Sequence, residues 1–210
     1  MTPDRHLIKM TAFSLYLDTS PDIIKPILEN LAGLFRRMDK AYNAAAVEYG
    51  FNCSGCEDNC CRTSFYHHTV IEYFYLHSGY LNRLEKERAQ LRQRASRVKQ
   101  AMARADARGE KRRIMCPLNL DGLCSLYRYR PMICRLHGLP SEIQRPGGGR
   151  VRSPGCGDFD RQCGPASYIK FDRTPLYMEM LMTEKEIREK LGFTEKIKMT
   201  VAGMVDSFPA

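Results

Sequence analysis

Four cysteines fall within nine residues, Cys53-Ser-Gly-Cys56-Glu-Asp-Asn-Cys60-Cys61, and no other segment restricts the folding of the chain as much. Their neighbours are small, acidic or polar, so the segment reads as a tight, wet loop and not as an apolar helix face. A buried structural cysteine ordinarily sits singly among hydrophobic residues. Several thiols on one short loop can turn onto a common centre. A metal that takes them as thiolates then stabilises the closed loop. A disulfide framework suits the chain poorly. It has nine cysteines, an odd number. Its first residues, Met-Thr-Pro-Asp-Arg-His-Leu-Ile-Lys, lack the apolar stretch of a secretion signal. No segment approaches the roughly 18 uninterrupted apolar residues of a membrane span. The expected location is a reducing cytoplasm, where thiols stay free for metal.

The remaining cysteines come in a looser order. Cys116-Pro117, Cys124 and Cys134-Arg135 are separated by eight and ten residues, with Asp121-Gly122 as a turn signal between the first two. None of these gaps makes a zinc knuckle alone. They read as ligands delivered by separate loops to a site organised by the first cluster. Cys156 and Cys163 are candidate late ligands without a near partner. The candidate metal ligands are therefore Cys53, Cys56, Cys60, Cys61, Cys116, Cys124, Cys134, Cys156 and Cys163.

Zinc sites usually draw four ligands from two separated knuckles. Here three or four come from one loop, with lone cysteines added from elsewhere, which is closer to iron–sulfur usage. Cys60 and Cys61 are adjacent and poorly placed to share one tetrahedral ion, but they could serve different irons of a cluster or two neighbouring sites. The pattern favours an iron–sulfur cluster of the cubane (4Fe–4S) type over Zn2+ or mononuclear iron. One cluster with a second zinc site also fits the number of thiols.

The stretches Cys53 to Cys61, Cys116-Pro-Leu through Gly122-Leu-Cys124-Ser-Leu-Tyr127, and Arg130-Pro-Met-Ile-Cys134-Arg135 carry a resemblance. Together they look like the bacterial cysteine-cluster family of YkgJ type, described as a zinc- or iron-chelating domain. The likeness covers about residues 53–163. That family's pattern is C-x-x-C-x-x-C-C; here three residues separate Cys56 from Cys60, one more than the pattern has. The family has a last cysteine after the Cys-Arg element, which here is Cys156 or Cys163. A related domain in a flagellin lysine methylase is associated with an iron–sulfur cluster, which implies a cluster-dependent modifying enzyme as one possible use.

Helical periodicity dominates the rest. Ser20-Pro21-Asp22 is a helix start, followed by Ile24, Ile27, Leu28, Leu31, Leu34, Phe35, Met38 and Tyr42 on one face. Pro26 is a possible kink or a later start, and Gly50 a stop. Phe13, Leu15 and Leu17 alternate as in a short strand. Phe65 to His68 reads as extended. Thr69 to Glu72 has capping-box spacing before a helix that Ser78-Gly79 should break. A long helix over 81–108 carries a thin seam, Leu81, Leu84, Leu91, Ala95, Val98, Met102 and Ala105, suited to a helical hairpin or a weak dimer. Residues 145–154 read as an exposed loop, 175–191 as a helix and 197–208 as a terminal helix. The fold class is mainly α: one domain over 1–210, with helices 21–49, 81–108 and 175–191 bundled around irregular, metal-organised cysteine loops. The basic helix is an insertion at about 80–113 within the cysteine core of 53–163.

Twelve Lys/Arg and four Asp/Glu lie between Arg83 and Arg113, nearly all of the chain's net charge of +9. Arg92, Arg94, Arg97, Lys99 and Arg104 could contact nucleic-acid phosphates, though few aromatics accompany them, and a solvated helix face is the favoured reading. Arg128, Arg130 and Arg135 flank the second cysteine group. Arg135, directly after a candidate ligand, is assigned to the cofactor, where it would offset thiolate charge. Tyr127 and Pro131 read as structural. His67, His68, His77 and His137 are possible ligands or plain polar residues, and Glu57 and Asp58 are possible oxygen donors or simply solvated. No phosphate loop, dinucleotide glycine pattern or nucleophile elbow is present. Three readings follow: a metal or cluster protein with a redox or metal-handling role, a cluster-dependent modifying enzyme, and a nucleic-acid-associated protein with structural zinc. An unidentified protein partner fits any of them, and the oligomeric state is open.

Overall fold

A computed structural model describes residues 20–53 and 60–209. The strand expected near Phe13, Leu15 and Leu17 lies outside the described residues, as do Cys56, Glu57 and Asp58.

The first helix, α1 (Pro21–Tyr49), starts on the proline and carries Asp22 in its first turn. The pyrrolidine supplies a helical φ where no N–H is needed, and the acid faces the positive helix end. Pro26 lies inside the helix without moving its start. Gly50 ends it at φ 66°, and the N–H groups of Gly50 and Phe51 fold back on the carbonyls of Val47 and Ala46. Ile24, Ile27, Leu31, Leu34, Phe35 and Met38 are all buried, as the spacing requires.

The second helix, α2 (Val70–Leu81), is the hub. Val70, Ile71, Tyr73, Phe74, Leu76 and Tyr80 are buried, because a helix apolar on nearly all sides has to be enclosed. Ser78-Gly79 does not break it. A Cβ on Gly79 would sit 2.2 Å from Cγ of Tyr129, so the glycine is there for close approach and not for termination. Gly79→Ala should therefore force the Tyr129 ring aside and cost about 2 kcal/mol in urea denaturation. A change near zero would mean that the ring swings away freely.

The chain turns after Leu81, and the basic helix α3 starts only at Glu85 (Glu85–Ala107). Leu81 and Leu84, expected to open the seam, are exposed instead. The deeper seam residues Leu91, Ala95 and Ala105 are buried. Leu91 and Ala95 join the same hydrophobic core as the buried face of α1. The helix packs chiefly on the C-terminal helix α7 (Val201–Asp206), where Lys99 pairs with Asp206 at 2.5 Å. The seam is thus covered from within the chain.

Two hairpins follow. Strands β1 (Asn119–Leu120) and β2 (Leu123–Cys124) pair antiparallel across Asp121-Gly122, which have φ 50° and 88°. Positive φ at both turn positions is the tight-hairpin geometry that Asp-Gly favours. The segment expected as a loop over 145–154 is partly strand: β3 (Ser141–Gln144) pairs with β4 (Arg150–Ser153), and residues 145–149 make the connecting turn, in which Gly147, Gly148 and Gly149 all have positive φ. Three short or longer helices complete the chain before α7: α4 (Met132–Leu136), α5 (Gly157–Cys163) and α6 (Thr174–Leu191). Helix α6 packs along α1 and against α2, burying Met180, Ile187 and Leu191. The fold is mainly α, and among the described residues no helix is long and apolar enough to cross a membrane.

Candidate metal centre

A cavity of about 660 Å³ opens between the end of α1, the Cys60–Arg62 turn, the β1–β2 hairpin and α4. Seven cysteines line it: Cys53, Cys60, Cys61, Cys116, Cys124, Cys134 and Cys156. Cys53 is exposed, the others are partly buried, and every described cysteine is a free thiol. Cys163 is not on the cavity. It closes α5, and its thiol points to the carbonyl of Tyr49 at 3.6 Å. Cys56 lies outside the described residues.

Each thiol is brought in by a different local device. Cys60 and Cys61 sit in a single 3₁₀ turn. The N–H of Cys116 donates to the carbonyl of Cys61 at 2.8 Å, joining the second cysteine region to the first. Cys124 lies on β2 opposite Asn119. Cys134 rides on α4, which begins directly after Pro131 because proline cannot extend the chain before it as helix. Cys156 caps α5: its sulfur accepts from the N–H of Phe159 at 3.4 Å, and its own N–H donates to Gly138 at 2.9 Å. Gly138 has φ 117°, and a Cβ there would stand 2.8 Å from the Tyr42 hydroxyl, so only glycine fits.

Desolvation is the leading influence on Cys53, Cys116, Cys124 and Cys134. Burial pushes Cys116 up to about 12 and holds Cys134 well above the ordinary thiol value. Burial also raises Cys124, and the charges of Arg130 and Arg135 work against it. Cys60 and Cys61 touch. The Cys60 thiol donates to the Cys61 sulfur, which draws Cys61 down and pushes Cys60 up. Their surroundings differ: Cys60 lies near Cys134 and Cys53, while Cys61 is felt by Cys116, Cys124 and Cys134. Tyr42, on α1, adds a hydroxyl beside Cys53 and Cys156; burial first, and then those two thiols, push it up. Among the described residues no three His, Cys, Asp or Glu side chains close on one ion-sized point. The thiols ring the cavity.

Arg135 is buried and lines the cavity. Each nitrogen of its guanidinium donates, to Asp39 at 2.5 Å and to the carbonyls of Arg128 and Arg130 at 2.5 and 2.9 Å, and its Cζ lies over the Phe35 ring. It therefore braces the 128–135 segment that carries Cys134, and its charge also reaches Cys124. Arg130 pairs with Asp39 at 2.9 Å and stacks on Tyr127.

Of the histidines, His67 and His137 line the cavity. His68 faces the carbonyl of Ile197, and His77 packs against Tyr80 and Phe208. On the basic helix, Arg94 donates to the carbonyl of Asn119, and Arg83, at the turn before it, to that of Ser125. These residues tie the helix to the cysteine hairpin. Arg94 and Lys99, two of the five cations considered for phosphate contact, are thus engaged within the chain.

Sequence reasoning passed over Tyr42 and Gly138. Tyr42 looked like one more member of an apolar stripe, and Gly138 had no turn partner nearby to mark it. No family model, curated protein or solved structure matches the chain.

Proposed function

We propose that this protein binds a thiolate-ligated metal centre, an iron–sulfur cluster in preference to zinc, with a redox or metal-handling role. The observation that carries the reading is that seven thiols, spread from Cys53 to Cys156, line one cavity. Cysteine sulfur suits iron–sulfur clusters and zinc, and no Asp or Glu is among the described residues that line the cavity. The residues present fit such a group. Cys53, Cys60, Cys61, Cys116, Cys124, Cys134 and Cys156 would hold it, and Cys56, outside the described residues, stands between Cys53 and Cys60 in the sequence. Arg130 and Arg135 offset part of the negative charge that several thiolates bring together. A bound cluster supplies one-electron chemistry, and a zinc ion supplies structural closure.

The arrangement of thiols around a space rather than at a point supports a polynuclear centre. The order of the cysteines supports kinship with the cysteine-cluster family. The engaged Arg94 and Lys99 leave the nucleic-acid reading less to stand on.

Anaerobic purification followed by metal, sulfide and absorption analysis tests the proposal. The expected result is a coloured protein with iron and acid-labile sulfide in near-equal amounts. Colourless protein with stoichiometric zinc would replace the cluster by zinc. Protein with neither metal would overturn the reading. Removal of the metal by a chelator should lower the melting temperature, because ligation and closure of the cysteine loops are one equilibrium.

A further inference from the structure

Buried polar atoms without a partner are rare in native proteins, and each calls for a reason. His67 carries one. The residue is 3% exposed and lines the cavity, and its Nε2 is buried with no hydrogen-bond partner. On the other edge of the ring, Nδ1 lies 3.9 Å from Oε2 of Glu72. The residue is held at its backbone, which donates to and accepts from Met199 at 2.7 and 3.0 Å. Glu72 is held as well: Oε1 accepts from the N–H of Met132 at 2.8 Å and Oε2 from the hydroxyl of Thr69 at 2.5 Å. Met132 is the first residue of α4, the helix of Cys134. One buried carboxylate thus stands between the imidazole and the element that delivers a candidate thiolate.

A packed core histidine normally has both nitrogens satisfied by protein. A metal-bound histidine has a different signature. A carboxylate faces one nitrogen, fixing the tautomer and ring orientation, and the other nitrogen keeps its lone pair for the metal. His67 matches the second pattern in its unpaired Nε2 and in the carboxylate that faces Nδ1, at 3.9 Å an ion-pair distance and not a hydrogen bond, on a cavity lined by thiols.

We propose that His67 is a nitrogen ligand of the cysteine centre through Nε2, with Glu72 as the orienting carboxylate behind it. The proposal rests on the metal-centre reading above. Exchange of a thiolate for a neutral imidazole lowers the negative charge at the centre, and in iron–sulfur clusters imidazole ligation raises the reduction potential.

X-ray absorption at the K edge of whichever metal the purified full-length protein carries tests this. The wild type should show a sulfur shell together with the multiple scattering of an imidazole ring. His67→Ala should lose the imidazole contribution and keep sulfur. His137→Ala, which changes the other cavity histidine, should keep both. If the alanine variant does not fold by circular dichroism, His67→Gln is the variant measured. A sulfur shell without imidazole in the wild type, or an imidazole signal unchanged by His67 substitution, overturns the role of His67 and leaves the metal centre intact. Wild-type protein without metal overturns both.

Discussion

Cys134→Ser is expected to lower bound metal by roughly tenfold or more, whereas Cys163→Ser should leave it unchanged. Both are lone cysteines in the sequence, and both looked like ligands. The structure separates them. Cys134 lines the cavity on α4, close to Cys61, Cys116 and Cys124. Cys163 stands at the far end of α5, turned to a backbone carbonyl. Burial holds the Cys134 thiol protonated in the metal-free state, so ligation has to expel its proton and the energy of the metal bond must cover that cost. A hydroxyl keeps its proton far more tightly and is a poorer donor to soft metals. Metal content per chain for the two variants and the wild type, from anaerobic preparations, checks the expectation. Equal loading of Cys134→Ser and wild type would remove Cys134 from the ligand set; loss of metal in Cys163→Ser would mean that α5 reorganises on binding.

Glu184→Ala should destabilise the whole chain by about 3 kcal/mol, read from urea or thermal unfolding. Glu184 lies on α6, more than a hundred residues from the N-terminus of α2. Its two carboxylate oxygens accept from the N–H groups of Val70 and Ile71 at 2.9 and 3.0 Å, and Arg188 donates to the same carboxylate. The first turn of a helix leaves its N–H groups without partners, and α2 is too deeply packed for water to take them. Removing the carboxylate strands two buried donors and an arginine together. Glu184→Gln keeps acceptor capacity for one of the donors and should cost less. If the alanine variant unfolds within about 0.5 kcal/mol of wild type, the two N–H groups find other acceptors and Glu184 is not the cap.

This cap shows why parts of the fold were not legible locally. Thr69 and Glu72 have capping-box spacing, and a helix does begin at Val70. Yet the Thr69 hydroxyl donates to Glu72, Glu72 turns to Met132, and the backbone donors go to Glu184. The motif marked the right place and assigned the wrong partners, because side-chain reach within four residues is all that a local pattern encodes. Ser78-Gly79 failed for a related reason. Glycine serves both helix ends and close packing, and only the position of Tyr129 decides between them. The opening of the α3 seam failed because Leu81 completes the preceding helix. Apolar periodicity does not record a break of three residues when the phase happens to continue.

The sequence by itself determined the helices with strong one-sided periodicity, above all α1 from Pro21 to the Gly50 stop, and the Asp-Gly hairpin that presents Cys124. Those follow from backbone preferences and burial of a stripe, which act over a few residues. It also supplied the clustered thiols on which the proposed metal centre rests. Only the tertiary structure decided which thiols share a cavity, that Cys163 stands apart, that the basic helix rests on α7, and that His67, on the same cavity, has a buried ring nitrogen without a hydrogen-bond partner. These depend on contacts between segments far apart in the chain. Such contacts are selected by packing of the whole core and leave no periodic trace in the residues that make them.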